Sequence, residues 1–169
     1  KATGQRPLYD SNGAALNFEL LSPEELLHCL LRWSALPGTS RHHWGTDVDV
    51  YDAAAMPSNY KLQLTPQEYA VGGLFSGLTE WLSERINAGT SGGFFRPYAC
   101  DNGGLAEEPW HLSYQPLALI YQSACSEAQL RRWLEQQDWP LAKQALECCD
   151  DVYARYIDVS RDPESLIAS

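Results

Sequence analysis

Apolar positions in this chain recur with two different periods. After Ser22-Pro23-Glu24-Glu25 come Leu26, Leu27, Leu30 and Leu31, then Trp33 or Ser34. Recurrence at three and four residues predicts an amphipathic helix. Ser22 and Glu25 form a capping box, Pro23 suits the first helical position, and Pro37-Gly38 ends the run. Thr65-Pro66-Gln67-Glu68 is a second box. It opens a helical region that breaks near Gly72-Gly73 and continues through Leu74, Leu78, Trp81, Leu82 and Ile86 to Gly89. Two further helices are predicted over about 126–137 and 140–156, separated by Pro140, with Tyr153, Tyr156 and Ile157 on the apolar face of the second. Between these regions the period shortens to two. Thr46-Asp47-Val48-Asp49-Val50-Tyr51 alternates, with the valines on one side and Asp47, Asp49 and Tyr51 on the other. Gly93-Phe94-Phe95-Arg96-Pro97-Tyr98 is a second strand candidate, moved toward a sheet edge by Pro97, and Trp110-His111-Leu112-Ser113-Tyr114 is a third. Residues 1–21 are polar and turn-forming, with Asp10-Ser11-Asn12-Gly13 as the clearest turn. Short strands among longer helices, without βαβ regularity, predict an α+β fold.

Composition narrows the class. The 169 residues fit a single domain over 1–169, and 44% apolar content suffices for a buried core. The formal net charge of −10 excludes a nucleic-acid binder, which needs a basic surface, and disfavours docking on anionic lipid. No apolar run reaches the ~18–20 residues that span a bilayer. The chain starts at Lys1 without Met or a signal peptide, so a trimmed product is expected. Cys29, Cys100, Cys125, Cys148 and Cys149 show no CxxC spacing. They are expected to be mainly small buried residues, with a bridge from Cys100 to a C-terminal cysteine open in an oxidising compartment.

The candidate chemistry lies in two polar segments, Ser40-Arg41-His42-His43-Trp44-Gly45-Thr46-Asp47-Val48-Asp49 and Glu107-Glu108-Pro109-Trp110-His111. A catalytic zinc needs three protein ligands and an open fourth position. His42 from the loop entering the first strand, Asp49 on its polar face and His111 from a neighbouring strand can supply them, and Gly45 lets the chain turn between the first two. Glu108, three residues before His111, then lies near the metal without binding it and can carry a proton.

The combination Ser40-x-His42-x-x-Gly45-x-x-x-Asp49 with Glu108-x-Trp110-His111 resembles the zinc D-alanyl-D-alanine carboxypeptidases of the VanY type, over roughly residues 32–115. That group also includes lysostaphin-type enzymes and the hedgehog signalling domain. The resemblance implies a small central antiparallel sheet carrying a zinc groove, flanked by helices. It implies one zinc on His42, Asp49 and His111, with Glu108 as the base and Ser40 helping to hold the substrate. The implied reaction removes the C-terminal D-alanine from peptidoglycan stem peptides, in the periplasm or at the cell wall. Arg32, Arg41 and Arg96 are candidate partners for a substrate carboxylate, since guanidinium binds it bidentately. Tyr114 either lines the groove or packs.

Several positions depart from the pattern. Relatives usually have a small residue where this chain has Asp47, and the extra carboxylate either touches the site or is an exposed charge. His43 is additional, and Glu107 competes with Glu108 for the base role. Relatives also carry an upstream Ser-x-x-Arg segment followed by Gln that supplies a polar group at the scissile carbonyl; residues 1–31 hold none. An oxyanion donor from residues before Lys1 is therefore expected, with Arg41 or Arg96 as the alternative within the chain. Two rival functions stay open: an endopeptidase of the same group, and a zinc-bearing binding module without catalysis.

Overall fold

The computed structural model describes residues 8–9, 14–101 and 103–159. In chain order the strands are β1 (Leu8–Tyr9), β2 (Ala15–Leu16), β3 (Asp47–Asp49), β4 (Phe94–Phe95) and β5 (His111–Tyr114). The helices are α1 (Pro23–Leu31), α2 (Pro66–Tyr69), α3 (Ser76–Asn87), α4 (Gln115–Ala124), α5 (Glu127–Leu134), α6 (Ala142–Glu147) and α7 (Cys149–Tyr156). Short 3-10 turns cover Phe18–Leu20 and Arg41–Trp44. Helices with two small antiparallel sheets make the fold α+β. Contacts divide the chain into two compact units. One comprises residues 1–40, 101–106 and 122–169, the other residues 41–100 and 107–121.

The first unit is mainly helical. Ser22 and Glu25 close the capping box at the start of α1, which buries Leu26, Leu27 and Leu31. Leu130 and Leu134 of α5, Ala145 of α6 and Cys149, Val152 and Tyr156 of α7 complete this core. The predicted helix over 140–156 is two helices. Leu141 takes a left-handed conformation before α6, and Cys148 leaves helical geometry at φ −110°, ψ 34°. The Gln144 carbonyl accepts from both the Cys148 N–H at 3.2 Å and the Cys148 thiol at 3.0 Å. The polar N-terminal stretch contains the β1–β2 hairpin, with Leu8 paired to Leu16; the turn predicted at residues 10–13 lies outside the described residues. Of the five cysteines, Cys149 is buried, Cys100 is exposed and the other three are half-buried, so they are less buried than composition suggested.

The second unit is built on a three-stranded antiparallel sheet in the order β3-β5-β4. β5 is central, pairing Asp47 with Ser113 and Asp49 with His111 on one side and Phe95 with Ser113 on the other. β4 is shorter than predicted and stops just before Arg96-Pro97, where the proline has no N–H for a ladder. Leu78, Leu82 and Ile86 of α3 line an apolar cavity of about 410 Å³ together with Val50, Phe94 and Leu112. Beside it, Tyr69, Phe75 and Trp110 form an aromatic core packed by Met56, Leu62, Leu64, Leu74 and Leu78. The break between α2 and α3 needs glycine at position 73, where a Cβ would lie 2.3 Å from the Gln67 carbonyl oxygen. α4, a helix the periodicity had not singled out, carries Pro116 in its first turn, a position that suits proline.

Glu68 organises the loop that leads into α2. Its buried carboxylate accepts from the Tyr60 hydroxyl (2.8 Å), the Gln63 N–H (3.1 Å) and the Thr65 N–H (2.8 Å). Burial works against its ionisation, but the bonds from Thr65, Tyr60 and Gln63 prevail and lower its pKa. Glu68→Gln turns one acceptor into a donor facing donors, and a loss of about 1–3 kcal/mol in urea denaturation is expected at neutral pH. Because the folded pKa is depressed, Glu68 stabilises above the unfolded carboxylate value of about 4.3. That contribution disappears as pH falls through the folded pKa, so the gap between wild type and variant should narrow in acid.

Candidate metal centre

Two tight turns bring the two polar segments together. The first is the 3-10 turn Arg41–Trp44, closed by the Gly45 N–H on the His42 carbonyl at 3.2 Å. Gly45 has φ +71°, which redirects the chain into β3 at little steric cost. The second turn runs from Glu108 to His111, with the His111 N–H on the Glu108 carbonyl at 3.1 Å. Pro109 presets its backbone, and the turn folds the Glu108 side chain back over His111. Antiparallel pairing then sets Asp49 directly opposite His111.

One donor atom from each of His42, Asp49 and His111 lies within 4.8 Å of the other two. His42 Nε2 is 3.5 Å and His111 Nδ1 is 3.6 Å from the same oxygen, Asp49 Oδ1. Ligands at ~2.0–2.1 Å on a tetrahedral zinc stand about 3.4 Å apart, so these separations suit that ion. Two imidazoles and a carboxylate also match its borderline softness. Glu108 Oε2 lies 3.1 Å from His111 Nδ1. Glu108 is half-buried, whereas Glu107 and His43 are exposed.

Behind the ligands lies a buried polar cluster. Asp47 has no exposed side chain, and His111 and Arg41 are 3% and 4% exposed. Asp47 Oδ2 accepts from Arg41 Nε and from His111 Nε2, both at 2.8 Å. Its Oδ1 accepts from Thr46 Oγ1 at 2.7 Å and Ser113 Oγ at 2.9 Å. Arg41 Nη2 also donates to Ser113 Oγ at 2.8 Å. Burial disfavours the charged carboxylate of Asp47, yet these donors hold its pKa well below the usual range. Burial likewise opposes charging His111, but its bonds to Asp47 and Glu108 outweigh this and push its pKa up to about 9. The Tyr98 ring meets His111 edge-on at 4.9 Å. Of the two uses open to the extra carboxylate at 47, the structure has contact with the site.

The proposed substrate contacts are placed differently. Arg41 is buried under Trp44, its guanidinium 4.5 Å from the ring centre, and engaged by Asp47. Arg96 donates to the Pro109 carbonyl (3.1 Å), Ser83 Oγ (2.8 Å) and the Thr79 carbonyl (3.1 Å). It thereby ties α3 to the turn that carries Glu108 and His111. Arg32 forms an ion pair with Asp101, both residues belonging to the first unit. Tyr114 packs on Phe94 at 5.3 Å between ring centres, and strand alternation sets it with Leu112 on the face opposite His111 and Ser113. Ser40 belongs to the first unit and is half-buried. Residue types and spacing missed Thr46, Tyr98 and Ser113. Ser113 was accessible from alternation, two residues after His111 on one face; nothing local marks Tyr98.

His42 from the 3-10 turn and Asp49 and His111 from the sheet, with Glu108 beside them, are a set that could hold a metal ion. The chain belongs to the VanY family, D-alanyl-D-alanine carboxypeptidase, which matches residues 2–117. An uncharacterized protein of Haemophilus influenzae is 42% identical over 85 residues, which are 49% of this chain and 63% of the relative. The chain thus spans less than two thirds of that relative's length. No solved structure matches.

Arg96→Lys keeps the charge but cannot reach three acceptors from a single ammonium. A loss of about 1–3 kcal/mol in urea denaturation is expected. Unchanged stability would show that the turn is held without Arg96.

Proposed function

We propose that the chain is a zinc-dependent carboxypeptidase that removes the C-terminal D-alanine from peptidoglycan stem peptides. The observation that carries this reading is the position of Glu108, 3.1 Å from the same His111 nitrogen that faces Asp49. A proton carrier beside the ligand set is what peptide hydrolysis requires and what a binding module does not. Membership of the VanY family supports the substrate class. Such substrates lie outside the cytoplasm, so the enzyme would act in the periplasm or at the cell wall. No helix among the described residues is long and apolar enough to cross a membrane.

His42, Asp49 and His111 would hold the zinc, which when bound polarises the scissile carbonyl and activates water. Glu108 Oε2 takes a proton from the attacking water as its oxygen bonds to the carbonyl carbon. The same carboxyl gives that proton to the departing amine of D-alanine as the C–N bond breaks, so Glu108 ends as it began. Its half-buried setting leaves it open to substrate on one side and fixed by the Glu108–His111 turn on the other. Ser40 is a proposed substrate contact; Arg41 and Arg96 would have to act while bonded to protein groups, and Tyr114, on the sheet face opposite His111, is left to packing on Phe94.

The decisive assay uses defined tetra- and pentapeptide stems, with and without a chelator. Release of D-alanine from the pentapeptide, lost on chelation and restored by zinc, is expected. Glu108→Gln should retain zinc and lose roughly 10²–10⁴-fold in kcat, because an amide cannot take the proton. His111→Ala should lose the metal. Normal turnover by Glu108→Gln with a dead Glu107→Gln would move the base to the neighbouring residue, and cleavage only inside cross-linked stems would make the enzyme an endopeptidase.

A further inference from the structure

The resemblance to the carboxypeptidases calls for a small residue at position 47, and the protein instead buries an aspartate there with four donors around it. We propose that Asp47 is a positioning residue that dictates which nitrogen of each ligand imidazole faces the metal. This rests on His42, Asp49 and His111 being the ligands.

A neutral imidazole has one N–H and one lone pair, and a partner at either nitrogen decides which is which. An ionised carboxylate only accepts. His111 Nε2 lies 2.8 Å from Asp47 Oδ2 and Nδ1 lies 3.1 Å from Glu108 Oε2; the Asp47 contact is the shorter, and its carboxylate is fully buried whereas that of Glu108 reaches solvent, so when a metal takes one nitrogen the hydrogen stays on Nε2 and Nδ1 is left to the metal. Nδ1 is the nitrogen that faces Asp49 Oδ1 at 3.6 Å. The backbone carbonyl of the same residue does the equivalent for His42. It lies 3.3 Å from His42 Nδ1, and a carbonyl also only accepts, so the lone pair is left on Nε2. That nitrogen faces Asp49 Oδ1 at 3.5 Å. One residue thus addresses both rings, through its side chain and its main chain.

Arg41, Thr46 and Ser113 hold the carboxylate in turn. Each oxygen of Asp47 accepts two hydrogen bonds, so the group is fixed in rotation and kept from swinging toward the metal. A carboxylate behind a ligating histidine both orients the ring and raises its basicity toward the metal, and removing such a partner typically weakens metal binding about 10–100-fold. A carboxylate that served only to neutralise Arg41 would have no such effect on a folded protein.

The test is zinc titration against a chromophoric chelator, on full-chain wild type and Asp47→Asn, with the fold of each checked by circular dichroism. It is joined to long-range ¹⁵N–¹H spectra of histidine-labelled, zinc-loaded wild type. The expected results are a Kd raised about 10–100-fold in Asp47→Asn, and a wild-type spectrum with His111 metallated at Nδ1 and protonated at Nε2, His42 the reverse. The spectrum needs no variant, so it decides even if Asp47→Asn does not fold. His111 metallated at Nε2, or a folded Asp47→Asn with unchanged Kd, overturns the proposal and leaves the ligand set standing. Wild type that takes up no zinc at these histidines overturns the ligand set and the proposal with it.

Discussion

A carboxylate with no access to water must be fully hydrogen-bonded, and Asp47 meets that demand with Arg41, Thr46, His111 and Ser113. Much of the second unit is arranged around this requirement. Arg41 comes from the 3-10 turn, Thr46 from the approach to β3, and His111 and Ser113 from β5. Because the two sequence segments share one buried charge, the turn that presents His42 and the strand that presents His111 are fastened to the same point. The convergence of His42, Asp49 and His111 is therefore a consequence of satisfying a buried acid as well as of sheet pairing.

The outer support is separate and uses ordinary means. Arg96 fastens the turn before His111 to α3, and Tyr69, Phe75 and Trp110 fill the space beside the sheet. The Tyr69 hydroxyl donates to the Val50 carbonyl at 2.8 Å, which anchors the end of β3 to the aromatic core. Strand alternation divides the labour on β5. His111 and Ser113 face the polar cluster, and Leu112 faces the apolar cavity.

The helices that begin with a capping box were legible because the signal is local: Ser22 with Glu25, and Glu68 with Thr65, act within one turn. The convergence of His42, Asp49 and His111 was legible for a different reason. Ligand-type residues at strand spacing and in a Glu-Pro-Trp-His turn can meet in few ways. What remained hidden depends on distant partners. Asp47 reads as a solvated charge until Arg41 and Ser113 are seen to enclose it, while the apolar Val48 beside it is 46% exposed. Arg41 and Arg96 read as free cations because their acceptors lie on other elements. The division of the last helix at Cys148, whose backbone leaves helical geometry at φ −110°, ψ 34°, is not recorded by periodicity.

The pairing of β3 with β5 involves Asp47 opposite Ser113, Val48 opposite Leu112 and Asp49 opposite His111. A ladder this short gives the backbone little preference among alignments, and a slip by one position would turn the face of one strand over. Asp49 would then point away from His111, and Asp47 would be carried into the apolar side with its charge unpaired. Asp47 bonded across the ladder to Ser113 makes that slipped arrangement expensive. The polar cluster thus acts as a proofreading device for strand alignment, so that a chain able to bury its core in the native register has, by the same event, brought Asp49 opposite His111.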